Sequence, residues 1–369
     1  MNRRKILKTL AIAGVAPLVL PGCDWLFKKK RFDKDGNEIT DYVVSEYLVI
    51  GKKKSSSNYE IFNLSENSIQ SVSQLPGGFT PSSVTWSKKD TALVSGPYSE
   101  SVVLINGQGK VLKSISLNGE ITSGALAYWP VEDVFIMTQS KKGEESFSMV
   151  FRSIEDGSEK ERFAMENSRE AVDFAISGDN VMVVDRSADT KKKPAQILKF
   201  SLTDKRFVNS MMINPPYQPS KVLVLGRNCY VSMVLQDETS KEYRAAPLLY
   251  FDMKSNKQRF MLTKSNRINS GMVKSTSVAT SLNDEVIAFC HQGGKQLTFW
   301  SNKDQSFYGM LKLDSEPQYI SGTGNKNEFL LTLKDAPTQT VQVSYDKIET
   351  TDFSKSSLHE TAYIRMIKA

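Results

Sequence analysis

From Asp41 onward the chain alternates short apolar runs with polar turns. Each run holds about 4 to 8 residues rich in Val, Ile, Leu, Phe and Tyr, and Gly, Asn, Asp, Ser and Lys separate the runs. Apolar positions with the 3.6-residue period of an amphipathic helix are almost absent. This pattern is typical of an all-β protein built from many short strands.

Seven segments share one pattern, a polar turn followed by a strand whose central apolar residue comes three positions later. The central residues are Val49, Leu93, Ile136, Met182, Val231, Ile287 and Leu330. The intervals between them are 43 to 56 residues, and most match a four-stranded propeller blade of about 40 to 50 residues. The sequence therefore predicts an all-β, seven-bladed β-propeller of the WD40/YVTN-like type over residues 41–369.

Two of these units show all four strands of a blade. The predicted strands are 82–86, 92–95, 101–105 and 111–117 in the second unit, and 273–279, 286–290, 296–300 and 306–313 in the sixth. The first unit lacks an innermost strand, and we expect the C-terminal segment 362–367 to supply it. Such pairing would close the ring without a disulfide. The two longest intervals predict rim loops at 187–194 and 236–246, where functional variation is most easily accommodated.

Residues 1–22 are predicted to be a twin-arginine signal peptide. Arg3 and Arg4 are followed by the spacer Lys5, two apolar residues and Lys8, which is the twin-arginine pattern. The apolar stretch 10–20 would rise only about 16 Å as a helix, which is too short to span a bilayer. It therefore fits the hydrophobic region of a signal peptide.

The leader ends in Leu-Pro-Gly before Cys23, which resembles the bacterial lipobox. Cys23 is thus the predicted lipidation site, and residues 23–40 form the predicted lipidated tether. Lys28 to Arg31 lie between aromatic residues, an arrangement that suits either anionic headgroups or a solvated linker. Asp24 resembles the signal that keeps lipoproteins at the inner membrane. We expect the protein on the periplasmic side of a bacterial membrane, the inner membrane being favoured.

Charge and the length of the apolar runs each exclude one class of protein. The formal net charge of +7 falls to +3 when the leader with its four basic residues is removed, and the remaining basic residues are scattered. A mild, scattered charge does not indicate a nucleic-acid partner. No run of 18 or more apolar residues occurs, so a polytopic membrane protein is excluded.

Motifs for catalysis are absent from the sequence. It contains no CxxC, GxSxG, GxGxxG or P-loop, so redox, hydrolase and nucleotide folds have no support. We therefore predict no catalytic residue, no metal site and no cofactor. Cys229 and Cys290 are expected on comparable strands of adjacent blades, near opposite ends, as buried free thiols rather than as a disulfide.

A few polar residues are candidates for a channel site. Thr85, Asp173 and Lys221 lie on predicted innermost strands, which line the channel of a propeller. His291 follows a predicted second strand; it is either a ligand or acid–base group there, or a turn histidine that bonds to its own loop. His359 lies in a polar segment and is expected to be structural or exposed.

Tryptophans mark the predicted blade interfaces. Trp86 and Trp129 lie in or just after innermost strands and Trp300 on a third strand. Large aromatic side chains at these places are expected to pack between blades. A stacking surface for a ligand at the channel mouth is the alternative.

One part of the sequence resembles a known family. Residues 287–300 read Ile-Ala-Phe-Cys-His-Gln-Gly-Gly-Lys-Gln-Leu-Thr-Phe-Trp, and residues 309–313 read Gly-Met-Leu-Lys-Leu. They resemble the penultimate blade of an uncharacterised family of twin-arginine-exported bacterial propeller proteins, often encoded beside imelysin-type iron-uptake proteins. The resemblance implies a seven-bladed propeller in an iron- or metal-acquisition system. That family carries histidines in early innermost strands, whereas 82–86 and 122–128 have none, so no functional residue is transferred.

Three hypotheses about function follow. The first is a non-enzymatic binding or scaffold lipoprotein that is anchored to the membrane and holds a periplasmic or inner-membrane protein on its rim. The second is a propeller that binds a small ligand or metal, or acts as an enzyme, at the channel mouth. The third is a structural component of outer-membrane assembly, against which Asp24 argues.

Overall fold

The structure, a computed structural model, describes most of the chain from Glu46 onward. The described residues are 31–32, 38–39 and 46–368, without 67, 145, 166–167, 169, 187–193, 214–216, 236–247, 256, 262–273, 293–294 and 345–346. The predicted signal peptide with Arg3 and Arg4 and the predicted lipidation site Cys23 lie outside the described residues, as do almost all of the two predicted rim loops. Within the predicted tether, β1 (Arg31–Phe32) pairs antiparallel with β2 (Glu38–Ile39).

From Glu46 onward the strands form seven antiparallel sheets, which are the blades of a propeller. Blade 1 contains β3 (Glu46–Lys52), β4 (Glu60–Leu64) and β5 (Ile69–Gln74), and blade 2 contains β6 (Ser83–Trp86), β7 (Thr91–Ser95), β8 (Ser101–Asn106) and β9 (Val111–Ser116). Blade 3 contains β10 (Glu120–Ile121), β11 (Leu126–Trp129), β12 (Val134–Lys141), β13 (Ser148–Ser153) and β14 (Glu159–Ala164). Blade 4 contains β15 (Glu170–Ser177), β16 (Asn180–Arg186), β17 (Gln196–Ser201) and β18 (Arg206–Met212).

The remaining three blades and the closing strand follow in chain order. Blade 5 contains β19 (Tyr217–Leu225), β20 (Asn228–Leu235), β21 (Leu248–Asp252) and β22 (Lys257–Met261), and blade 6 contains β23 (Lys274–Thr280), β24 (Val286–Gln292), β25 (Gln296–Ser301) and β26 (Ser306–Lys312). Blade 7 contains β27 (Pro317–Gly322), β28 (Glu328–Leu333), β29 (Ala336–Val343) and β30 (Ile348–Ser357). Finally, β31 (Glu360–Lys368) pairs with β3 and is the innermost strand of blade 1. The predicted fold and the predicted ring closure are both confirmed.

The turn after each innermost strand explains why the repeat was visible in the sequence. Asp90, Asp133, Asp284 and Asn327 all have φ between +53° and +59°, a left-handed conformation that Asp and Asn tolerate better than most residues. Blades 4 and 5 place a glycine in the corresponding turns, with φ of +57° and +60°. The recurring polar residue is therefore a backbone requirement of the hairpin.

The core lies between blades. Within the described residues there are seven buried hydrophobic clusters, one at each of the seven blade–blade interfaces. Trp129 and Phe200 are in the cluster between blades 3 and 4, and Trp300 is in the cluster between blades 5 and 6. Each sheet thus buries both faces against its neighbours, because one blade alone would leave them exposed.

Blade 3 differs from the expectation. Its innermost strand, predicted as 122–128, is split into β10 and β11, and residues 122–125 leave the ladder between them. Side chains of this segment bond to neighbouring strands: Ser123 Oγ lies 2.7 Å from Thr138 Oγ1 and donates to the carbonyl oxygen of Ala171 in blade 4. Gly124 adopts φ of +95°, which lets the chain turn back into the sheet.

Cys229 lies on β20 and Cys290 on β24, which are the second strands of adjacent blades. Both are buried thiols that are not joined in a disulfide, as predicted. Burial raises the pKa of the Cys229 thiol to about 12, so the thiol is protonated and unreactive near neutral pH. Among the described residues, no helix is long and apolar enough to cross a membrane.

Candidate functional site

The innermost strands surround the channel and contact one another in order around the ring. In blades 4 to 7 the pairing between the first and second strands skips one residue, which is a β-bulge. The residues that resume the pairing are Asp173, Lys221, Ser277 and Tyr319. A bulge re-aims side chains on one strand, and two of these four residues are the channel candidates predicted from the sequence.

The structure brings Asp173 and Lys221 together. Asp173 Oδ2 accepts a 2.9 Å hydrogen bond from the backbone N–H of Val222 in blade 5, and Lys221 Nζ lies 3.8 Å from Oδ1. Burial raises the pKa of the Asp173 carboxyl, although Lys221 and the backbone donors act in the opposite direction. The carboxylate therefore links two adjacent blades.

Ser277 makes the same kind of link two blades further on. Its Oγ accepts a 2.9 Å hydrogen bond from the backbone N–H of Ile320 in blade 7. Val222 and Ile320 occupy the same place, one residue after the position where pairing resumes. In blade 6, Ser277 thus makes the bond that Asp173 makes in blade 4. The side chain at this place therefore serves to bind the next blade.

Thr85 does not join this pair. It lies on β6 in blade 2, half-buried and opposite Leu93. Blade 3 separates it from Asp173 in blade 4. The three predicted inner-strand residues therefore do not form one site.

A cavity of about 360 Å³ opens where the innermost strands of blades 6 and 7 end, beside the middle of β31 in blade 1. It is lined by residues 278–282, Asp284 and residues 320–323, together with Tyr319, Tyr363 and Ile364. The two tyrosine rings are 5.6 Å apart and inclined by 62°, an edge-to-face arrangement that stabilises both. We call this cavity the mouth cavity.

The tyrosines supply neutral hydroxyl groups. Burial raises the pKa of Tyr363 to about 12, and it also raises the pKa of Tyr319, with smaller contributions from Tyr363 and Asp173. Both phenols therefore stay protonated at physiological pH and can donate and accept hydrogen bonds. A hydrophobic ring with a polar tip suits recognition of a partner.

Leu282 exposes an apolar side chain at the rim of the mouth cavity: it lines the cavity and is 63% exposed. Val131 of blade 3, which is 65% exposed, does not line this cavity. Both lie in turns between a first and a second strand, and these turns share one face because the innermost strands all run in one direction. Leu282 thus adds an exposed apolar side chain to the cavity that the two tyrosine rings line.

Sequence reasoning missed the mouth cavity because tyrosine is common in strands and carries no motif. A signal did exist. At the residue that resumes pairing after the bulge, blades 4, 5 and 6 carry Asp, Lys and Ser, and blade 7 carries Tyr319. Polar or amphipathic residues at a fixed place on innermost strands indicate the channel wall.

His291 is neither a turn residue nor a channel residue. β24 extends to Gln292, beyond the predicted end at residue 290, so His291 pairs with Ser275 and Gln296 inside the sheet. It is 4% exposed, and its Nε2 lies 2.7 Å from Thr298 Oγ1 on the third strand. The expectation of a loop histidine is wrong, because two more residues join the ladder.

Burial of His291 should make stability depend on pH. Burial lowers its pKa from 6.5 to about 4, so the unfolded chain binds the proton more readily than the folded one. The free energy of unfolding should be highest above pH 6.5 and should fall by about 3 kcal/mol in total as the pH drops towards 4. Urea unfolding of wild type and of His291→Gln, which can still bond to Thr298, should diverge in this way between pH 7 and pH 4. A difference between the two proteins that does not change with pH would contradict the assignment.

His359 is half-buried, and its Nδ1 lies 3.0 Å from Asp335 Oδ2. Its backbone N–H donates to the carbonyl oxygen of Lys52 in blade 1. These contacts attach the segment before β31 to its neighbours, which is a structural role, as expected. In the described part of the chain, no three His, Cys, Asp or Glu side chains are grouped so that they could hold a metal ion.

No protein-family model and no curated protein matches the sequence. Solved structures do match. A hypothetical selenium-binding protein from Sulfolobus tokodaii is 10% identical, with a TM-score of 0.67 over 88% of this chain and 93% of that one. A candidate 6-phosphogluconolactonase from Bacteroides uniformis is 12% identical, with a TM-score of 0.63 over 87% of this chain and 99% of that one. At such identities the likeness establishes the propeller fold and not an activity.

Proposed function

We propose that this propeller is a non-enzymatic binding module that holds a protein partner over the mouth cavity. The observation that carries the proposal is the combination of Tyr319 and Tyr363 in the cavity with Leu282 exposed at its rim. Aromatic side chains in a concave site, with an exposed apolar side chain at its rim, are typical of protein recognition. A cavity of about 360 Å³ accommodates one or two side chains of a partner.

The ionisable groups of the channel support binding rather than catalysis. Asp173 is committed to Val222 and Lys221, and its counterpart Ser277 makes the same kind of inter-blade bond. A general acid or base must reach the proton it transfers, whereas Asp173 is held by its structural contacts. The channel polar groups are therefore used to join blades.

The setting of this module rests on the sequence. The twin-arginine leader and the lipobox at Cys23 support an exported lipoprotein on the periplasmic side of the membrane, and Asp24 favours the inner membrane. The resemblance to propellers encoded beside iron-uptake proteins supports a partner in an iron- or metal-acquisition system. We include both in the proposal.

Leu282→Asp should abolish capture of the partner. A charge at this exposed position would be desolvated in the interface, at a cost of several kcal/mol, while the fold should tolerate it. The full-length tagged protein would be crosslinked in its native bacterium, and the co-purifying envelope proteins quantified. We expect one stoichiometric partner with wild type and at least about 10-fold less with the variant.

Val208→Asp is the matched control. Val208 is a similarly apolar side chain, 43% exposed, on the outer strand β18, away from the mouth cavity. Its variant should capture the partner as wild type does. Equal capture by Leu282→Asp, or no partner above background with wild type, would overturn the proposal. In the second case, ligand screening by thermal shift would test small-molecule binding at the mouth.

A further inference from the structure

At one position on the third strand, blade 3 carries a different type of residue from the other blades. In five blades the pairing of the third and outer strands shifts register at the same place. Four of those blades place a fully buried apolar residue directly after the shift: Phe62, Ile105, Phe200 and Trp300. Blade 3 places Arg152 there, and its side chain is also buried, at 4% exposure. The fold needs only an apolar side chain at this point, so the arginine calls for another explanation.

The hydrogen-bond acceptors around the Arg152 guanidinium are neutral groups. It donates to the Gly157 carbonyl at 2.8 Å, to Gln139 Oε1 at 2.7 Å and to Met137 Sδ at 3.1 Å. Among the described residues the nearest carboxylate is Glu159, 4.0 Å from Nη2. Burying an arginine without a close counter-ion is unfavourable, and an anion beside it would relieve that cost.

Arg152 lies in the wall of a cavity between blades 2 and 3. The cavity measures about 670 Å³ and is lined by the end of β9, by Gln139 and by Glu120, Glu159 and Arg162. Arg162 makes a two-bond contact with Glu120 at 2.8 Å and a second pair of bonds with Glu159. This network fixes the side chains of the wall. We call the cavity the Arg152 cavity.

The lining favours an anion that also carries hydroxyl groups. Four basic side chains, Lys141, Lys142, Arg152 and Arg162, face two carboxylates, a formal excess of two positive charges. Among the described residues, Lys141 pairs with exposed Glu144 and Lys142 with exposed Glu100, and such surface pairs are weak. Fixed carboxylates retain lone pairs that can accept from ligand hydroxyls.

We propose that the Arg152 cavity binds a small hydroxyl-bearing anion, of the sugar-acid or sugar-phosphate class. The acid group would lie against Arg152 and the two lysines, and the hydroxyls against Glu120, Glu159 and Gln139. The site is separate from the mouth cavity and does not depend on the proposed protein partner. Bidentate recognition of carboxylate or phosphate is what the planar guanidinium does best.

Calorimetry on the full-length protein tests the proposal with three probes: D-glucuronate, inorganic phosphate and neutral D-glucose. We expect D-glucuronate to bind, phosphate to compete with it, and glucose to bind at least about 10-fold more weakly. Tighter binding of D-glucuronate than of phosphate would indicate a sugar acid, and the reverse a phosphate ester. No heat with either anion at about 10 mM, or equal affinity for glucose, would overturn the proposal.

Arg152→Phe introduces the residue that blades 1 and 4 carry at this position. It should weaken D-glucuronate binding by about 30-fold or more, and leave the melting temperature within a few degrees of wild type.

If Arg152→Phe fails to fold, the double variant Lys141→Glu with Lys142→Glu tests the proposal instead, because both lysines are exposed. This double variant should weaken D-glucuronate binding about 10-fold. Lys254→Glu with Lys303→Glu, exposed on other blades, is the matched control and should bind as wild type. Unchanged binding by a folded Arg152→Phe or by the lysine variant would refute the assignment.

Discussion

Deleting residues 360–369 is expected to abolish cooperative folding of the propeller. This removes β31, which pairs with β3 from Glu46 to Lys52 and is the innermost strand of blade 1. The deletion also removes Ile364 from the cluster between blades 7 and 1. Burial of one such side chain contributes about 1.5–3 kcal/mol, and the lost ladder and the exposed edge of β3 add to it. A loss above about 5 kcal/mol is most of the stability of a typical domain.

The closing strand also contacts blade 2. Arg365 stacks on the ring of Trp86, with its guanidinium carbon 3.9 Å from the ring centroid, and its Nη1 lies 2.8 Å from Asp90 Oδ1. Its removal therefore opens the ring on both sides of blade 1. Calorimetric melting and far-ultraviolet circular dichroism should show a broad transition at a much lower temperature.

A peptide of residues 360–369 supplied in trans is the control for this deletion. If the loss is one of strand pairing, the peptide should restore part of the melting temperature, and the gain should rise with the logarithm of the peptide concentration. A truncated chain that melts as sharply and as high as the full chain would show that β31 is dispensable.

Asp173→Ala is expected to destabilise the protein by about 3 kcal/mol at neutral pH. The change removes the acceptor of the Val222 N–H and the counter-charge of Lys221. Breaking a buried ion pair costs about 3–5 kcal/mol, and Lys221, which is 21% exposed, can recover part of this by turning to water. Urea unfolding monitored by tryptophan fluorescence would measure the difference in free energy of unfolding.

Two related variants separate charge from hydrogen bonding. Asp173→Asn keeps an oxygen for the Val222 N–H and should lose less stability than Asp173→Ala. Ser277→Ala removes only the neutral bond to Ile320 and should lose about 1 kcal/mol. If Asp173→Ala were as stable as wild type but lost partner capture, Asp173 would belong to the binding site and not to the blade junction.

These variants also bear on function. A destabilised ring would lower capture of the partner indirectly, so capture must be compared at temperatures where each variant is folded. Leu282→Asp is free of this complication, since Leu282 is largely exposed. Leu282→Asp therefore tests the mouth cavity, and the Asp173 and Ser277 variants test the blade junctions separately.

Much of the fold could be predicted from the sequence because its periodicity is local. The strand following each turn is buried on both faces, so each repeat carries a run of apolar residues. The turn before that strand requires a residue that adopts a left-handed backbone conformation, such as Asp90 or Asp133. Both requirements act within a few residues, and the left-handed turn recurs in each of blades 2 to 7. Blade number, strand order and closure by the C-terminal strand followed from them.

Strand ends and interruptions were harder to predict. His291 was expected in a turn and lies inside β24, because this strand extends two residues beyond the end that its sequence suggested, to Gln292. Residues 122–125 leave the innermost strand of blade 3 through bonds to Thr138 and to Ala171 in the next blade. Such contacts join residues far apart in sequence, so no local pattern announces them.

The sequence by itself determined the seven-bladed architecture, the closing strand and the two buried thiols, and it singled out Asp173 and Lys221 as polar residues on innermost strands. Only the tertiary structure decided that these two meet across a blade junction, that Tyr319 and Tyr363 line one cavity, and that Arg152 occupies a place where four other blades are apolar. The physical reason is that strand formation and turn geometry depend on neighbours in sequence. The chemistry of a site depends on which innermost and third strands the closed ring places side by side.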